Sequence, residues 1–472
     1  MHDVIRFGAV VAVLAVALLA AVGSSRISAR VNIPAPAVFL LAASVAAQIF
    51  PGLRRLGVVA DQRIVTVALV IVLFDGGMRI GWRRLRPALA GVVWLGTAGT
   101  LVTAAGMAVA AHYLFGFDWR AALLVGAALA PTDPAVVFSV LGRREIVGRT
   151  GTLLEGESGA NDPVGIALMA ALLAATGASG WHAIGDGVLE FVLQMGIGVV
   201  FGLAGGYGLR RLMRALPMPN ESLYAVRTIA FALLLFGVAT VCRGSGFLAV
   251  FLAGIAVGDL RAPYKRDIER FGAALASLGE IVAFVVLGLS VPISAAFAGD
   301  RAWVGLGLAA LLVLVARPLL GGAVLWPVRL RRGERVFVLW SGLKGAVPIL
   351  LGTYVVAEGV PGADRIYGTV FVVVLASVVV QGGLVPTVAR ATRVPMRMTQ
   401  QEPWSLGMRF RDEPEGMHRF VVREGAPADG CAIGDLDLGE DAWVSLVSRS
   451  GRLLQVRRDT VLHAGDEVLV LA

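Results

Sequence analysis

The chain has 472 residues, of which 57% are apolar and only 16% charged, with a formal net charge of +9. A soluble chain carries about a quarter charged residues, so this composition excludes an ordinary cytosolic enzyme and points to a membrane protein. Two cysteines and five scattered histidines offer neither a disulfide framework nor zinc or haem spacing, and the positive charge is spread among loops, so it marks no nucleic-acid partner.

A helix crosses about 30 Å of hydrocarbon in roughly 20 residues. Apolar runs of that size predict thirteen spans, over 4–23, 33–51, 60–78, 88–111, 119–140, 151–176, 187–209, 222–242, 246–260, 271–292, 302–328, 336–356 and 366–389. The first ends in small residues as a secretory signal does, but Asp3 and a lone Arg6 make a poor basic start, and it counts as a span. Basic residues gather in alternate loops: Arg26 and Arg30, Arg79 to Arg86, Arg143 to Arg149, Arg210 to Arg214, Arg261 to Arg270, and Arg329 to Arg335. The opposite loops are poorer, holding Arg54, Arg55, Arg63, Arg120, Arg243, Arg301 and Arg365. Positive loops stay in the cytoplasm, which places the amino terminus outside and the carboxyl-terminal segment inside the cell membrane.

After the transmembrane part, residues 1–390, the character changes. Residues 391–419 form a polar linker with Pro395, Pro403 and Pro414. Over 420–472 short alternating runs (FVV, AWVSLV, RLLQV, EVLVLA) are separated by the turn signals SRSG and HAGD, predicting a small, mainly β (α+β) domain with one short helix. A core that small favours dimerisation or docking.

An ionisable residue inside a span is costly and is a functional candidate by default. The candidates are Asp75, Asp133, Glu157, Asp162, Glu280, Arg317 and Lys344. In the fifth span Pro131 and Pro134 flank Thr132 and Asp133, and in the twelfth Gly342 and Gly345 flank Lys344 with Pro348 following. Such residues unwind a helix, and open backbone at that depth is tolerated where it lines a cavity. Two broken helices seven spans apart fit inverted repeats with an ion site between them, where Asp133 and Lys344 neutralise the half-helix ends. In the sixth span Ser158 and Asp162 stand at i, i+4, with Glu157 and Asn161 beside them. Asp162, Ser158 and Thr132 supply oxygens for a monovalent cation, and Asn161 orients without titrating. Arg317 reads as a structural residue between helices.

The segments APTDP, EGESGANDP and SGLKGAVPI, in that order, make residues 5–395 resemble the NhaP-type monovalent cation/proton antiporters. ESGANDP with LFDGGMR is most similar to the potassium/proton subgroup, and the tail resembles the TrkA-type carboxyl-terminal half of RCK domains. The resemblance implies an all-α polytopic antiporter, not an enzyme, that needs no cofactor beyond its transported potassium or sodium and protons. It implies Asp162 as the shared carrier with Thr132 and Ser158 as ligands, Asp133 as a helix cap, Glu157 paired with the cation of span twelve, and Asp75 near the site. Where most relatives carry Arg in that span, this chain has Lys344. A homodimer among membrane lipids is implied, with a small-molecule or nucleotide ligand on the tail. Sodium/proton exchange and an RCK-regulated channel are the competing readings, the latter lacking a TVGYG-type filter.

Overall fold

The computed structural model describes residues 34–50, 57–141, 144–174, 181–260, 262–398, 417–436, 438–439, 442–449 and 452–471, with single positions 23 and 52. The first expected span, 4–23, and most of the linker lie outside the described residues. The chain divides into two compact units, Met1–Pro403 and Trp404–Ala472.

The first unit is helical. Helical segments lie over the expected spans from the second onward: α1 (Ala35–Ile49), α2 (Val58–Leu85), α3 (Leu89–Trp94) running on into α4 (Thr100–Phe115), α5 (Trp119–Leu129) and α6 (Ala135–Leu141), then, beyond a three-residue strand β1 (Arg144–Ile146), α7 (Arg149–Ala174), α8 (Trp181–Ala215), α9 (Glu221–Val241), α10 (Gly246–Gly258) and α11 (Lys265–Ser290). They continue with α12 (Arg301–Leu311), α13 (Arg332–Trp340), α14 (Ala346–Ala357), α15 (Ala363–Ala376) and α16 (Gly382–Ala391). Among the described residues, six helical stretches are long and apolar enough to cross a membrane.

Local signals set the ends. Asp118 caps α5 by accepting from the Ala121 N–H at 3.1 Å, and Ser245 caps α10 by accepting from Leu248 N–H at 3.3 Å, each satisfying a donor the first turn leaves free. Small residues set the packing. A side chain at Gly77 would collide with the Phe251 carbonyl, and one at Gly254 with the Phe74 carbonyl, so α2 and α10 cross backbone to backbone. Wide π turns interrupt three helices at Leu95–Gly99, Leu312–Gly321 and Ser377–Gln381. The second contains Arg317 and Pro318, whose missing N–H accounts for the irregularity.

The start of the linker is not free. Strand β2 (Met396–Met398) pairs antiparallel with β1, Arg144 opposite Met398 and Ile146 opposite Met396. This ties the exit of the last helix to the loop between α6 and α7.

In the second unit β3 (Met417–Val421), β4 (Trp443–Arg449), β5 (Arg452–Leu454) and β6 (Glu467–Leu471) form an antiparallel sheet of order β3-β6-β4-β5, with a single 3-10 turn at Ile433–Asp435. Val422, Val444, Val447, Leu462, Val468 and Val470 make its core. Along β6 burial alternates, as the sequence pattern requires. Buried Asp466 receives Arg449 through Nε at 2.8 Å and Nη2 at 2.7 Å, and the His463 N–H at 2.8 Å. Burial works to raise this carboxyl, yet these hydrogen bonds hold it below the ordinary carboxylate range.

Candidate functional site

Two helix interruptions meet inside the first unit. Between α5 and α6 the chain is non-helical over residues 130–134, and between α13 and α14 over 341–345. The backbone accounting explains both. In a continuous helix the Ala130 carbonyl would accept from the N–H of residue 134, but residue 134 is proline and has none. The Pro131 carbonyl would accept from Ala135, whose N–H is given instead to Asp133 Oδ1 at 2.8 Å. Lys344 replaces both donors: its Nζ lies 3.0 Å from the Ala130 carbonyl and 2.9 Å from that of Pro131. In return, the Asp133 N–H donates to the Leu343 carbonyl at 2.8 Å. Each break satisfies the other.

The second break is braced from behind by the π turn at Ser377–Gln381. Ser377 Oγ accepts from the Lys344 backbone N–H at 3.0 Å and donates to Gln381 Oε1 at 2.8 Å, while Gln381 Nε2 donates to the Trp340 carbonyl at 2.5 Å. Gly345 is required here because any side chain would overlap the Asp133 carboxylate.

Helix α7 passes this crossing with Glu157, Ser158, Asn161 and Asp162 all buried. Asn161 Nδ2 donates to Thr132 Oγ1 at 2.7 Å, linking α7 to the first break. Asn161, which the sequence assigns an orienting role, thus holds a side chain of the broken segment. Asp162 makes no hydrogen bond or ion pair among the described residues, and it interacts electrostatically with Asp133 and Lys344. An acidic oxygen pair, a hydroxyl one turn earlier and a break in the facing helix form a compact oxygen-rich site.

One expected pairing is corrected. Glu157 was expected to pair with Lys344, but its Oε1 takes Arg317 Nη1 at 3.0 Å, with both side chains buried. Lys344, fully buried, is committed to the carbonyls of the first break. Arg317 is therefore the counter-charge of α7, and a side chain at Gly342 would overlap its guanidinium. Asp75 is held by Arg79 at 2.6 Å, and a side chain at Gly272 of α11 would press on its Oδ1.

Of two further carboxyls, the sequence singles out Glu280 but not Asp61. Glu280, on α11, has a buried Oε1 without a hydrogen-bond partner among the described residues and interacts with Asp133 and Arg79. Asp61, 5% exposed, accepts from Ser290 Oγ at 2.8 Å. It sits at the edge of the third apolar run, where a carboxylate reads as part of a loop.

Residues 14–391 match the family model described as sodium/hydrogen exchanger, transmembrane, and residues 417–472 match the TrkA-C domain. The chain is 34% identical to the K(+)/H(+) antiporter NhaP of Alkalimonas amylolytica, over 97% of this chain and 80% of the relative. It is 33% identical to the K(+)/H(+) antiporter NhaP2 of Shewanella sp. strain MR-4, over 96% and 80%. Identity to the Na(+)/H(+) antiporter ApNhaP of Aphanothece halophytica is 27%, over 71% and 65%. In fold it resembles the sodium proton antiporter MjNhaP1 from Methanocaldococcus jannaschii at pH 8, with a TM-score of 0.66 at 22% identity, covering 79% of this chain and 98% of that one.

Proposed function

The chain belongs to the sodium/hydrogen exchanger family, and from that premise we propose that it is a secondary antiporter exchanging potassium for protons by competition at Asp162. The observation that carries this is a buried carboxylate without a hydrogen bond among the described residues, set beside two mutually braced helix breaks. Such a group holds a proton or a dehydrated cation, but not both. Ser158 and Thr132 complete the cation's oxygen shell, and Asn161 fixes Thr132. Asp133 caps α6, while Lys344 supplies the donors that the prolines remove.

Thirteen spans in inverted repeats, an outward amino terminus, a cytoplasmic tail and a homodimer in the cell membrane belong to the same reading, as does a tail that regulates through a small-molecule or nucleotide ligand. Exchange runs on ion gradients without enzymatic chemistry or a cofactor. Potassium is favoured by the NhaP and NhaP2 relatives, which are matched along nearly the whole chain. Sodium is the second reading, favoured by the Na(+)/H(+) relative.

The test is proton movement in everted vesicles on adding potassium, sodium or neither, with wild type beside Asp162→Asn. Wild type is expected to move protons with potassium, and the variant to insert normally and move none. Cation-dependent proton flux through Asp162→Asn refutes the carrier assignment.

A further inference from the structure

A cavity of about 520 Å³ opens between the starts of α3 and α7 and the segment after Leu325. That size lies within the roughly 300–1,000 Å³ of small-molecule sites. Its floor is apolar, with Leu153 and Val328 both bordering Gly91, and Trp94 lines it with an indole N–H fixed on the Val324 carbonyl at 2.8 Å. Two exposed arginines complete the lining, Arg149 and Arg329. Arg149 is oriented by donating to the Pro87 carbonyl at 3.2 Å.

The surroundings identify the occupant. All three chain segments at this cavity come from the arginine-rich set of loops, with Arg83, Arg84 and Arg86 leading into α3 and Arg331, Arg332 and Arg335 following Arg329. Trp82, Trp94 and Trp326 are exposed at the same helix ends, and Arg335 stacks on Trp326 with 5.6 Å to the ring centroid. Exposed tryptophan beside arginine marks the level of lipid headgroups, and basic pockets between spans on that side attract anionic lipids. A free anion would use the arginines and leave the apolar floor unfilled.

We propose that this cavity binds one anionic phospholipid of the leaflet on the arginine-rich side, its phosphate between Arg149 and Arg329 and its glycerol and upper acyl chain against Leu153, Val328 and Trp94. Leu153 stands one turn before Glu157 on α7, and Val328 follows Arg317 along the chain, so the lipid braces the two segments that the Glu157–Arg317 pair joins. The site is separate from the cation crossing and independent of which ion is carried.

The experiment is thermal unfolding of the purified full chain in detergent, with added phosphatidylglycerol, phosphatidylcholine or soluble glycerol 3-phosphate. Phosphatidylglycerol is expected to raise the midpoint progressively with concentration, as a ligand of the folded state does, and the other two to leave it unmoved. Arg149→Gln with Arg329→Gln abolishes the shift. Ala90→Trp, which fills the cavity and keeps both arginines, abolishes it too. An equal shift with phosphatidylcholine, an equal shift with glycerol 3-phosphate, or full retention of the shift in both variants overturns the proposal.

Discussion

Replacing Arg317 with Gln leaves Glu157 as an unpaired carboxylate in the middle of the first unit. The pair spans 3.0 Å, and the two side chains keep only 8% and 5% of their exposure. Removing one member of a buried pair costs about 3–5 kcal/mol, because the surviving charge loses its partner without regaining water. At 1.4 kcal/mol per decade that is roughly two to nearly four orders of magnitude in the folding equilibrium. Glu157→Gln added to Arg317→Gln removes the orphan charge and should restore most of the loss, giving a coupling energy well above the roughly 0.5 kcal/mol scatter of independent sites. Glu157→Gln added to Lys344→Gln should restore little, because that loss comes from the Ala130 and Pro131 carbonyls. Denaturant titration of the purified protein in mixed micelles, monitored by tryptophan fluorescence, measures both cycles. Coupling of Glu157 to Lys344 that exceeds its coupling to Arg317 refutes the pairing.

The remaining expectations concern coupling and the tail. A single carrier at Asp162 makes exchange electroneutral, so a membrane potential imposed at equal pH should leave its equilibrium unmoved; a steady shift demands a second titrating group, for which Glu280 is in place. Truncation after Pro403 keeps β2 and every site residue, so turnover in vesicles should persist with an altered pH or ligand response; an inert but inserted product contradicts a purely regulatory tail. In the second unit, Asp466→Asn should lose about 1–3 kcal/mol at pH 7, the usual cost of leaving buried hydrogen-bonding groups unmatched. Because the native carboxyl titrates below its unfolded value of about 3.9, its contribution is complete above that value and fades as pH falls through the native one. Unfolding curves of wild type and variant should therefore converge in acid and separate toward neutrality.

Features encoded locally were legible in the sequence. Pro131 and Pro134 announce a break wherever they sit in a helix, and the i, i+4 spacing of Ser158 and Asp162 fixes their shared face. Three strands of the tail followed from alternation, whereas β3 begins at Met417, inside the expected linker. The partner of Glu157 was not legible, since Lys344 and Arg317 are both buried cations and only the packing of the π turn at Leu312–Gly321 brings Arg317 to it. Nor was the role of Lys344, because a motif shows the charge but not that its targets are main-chain oxygens. The β1–β2 pair escaped because three residues on each side are too few to show a period.

The crossing also sets a timetable for the nascent chain. Lys344 lies 214 residues beyond Ala130 and 213 beyond Pro131. At about 5–20 residues per second of synthesis, the ribosome needs roughly 10–40 s to deliver the ammonium group those carbonyls require. Throughout that interval the fifth hydrophobic segment lacks the donor that holds its main-chain oxygens in the folded protein. The first break is therefore completed only after the second half has been made.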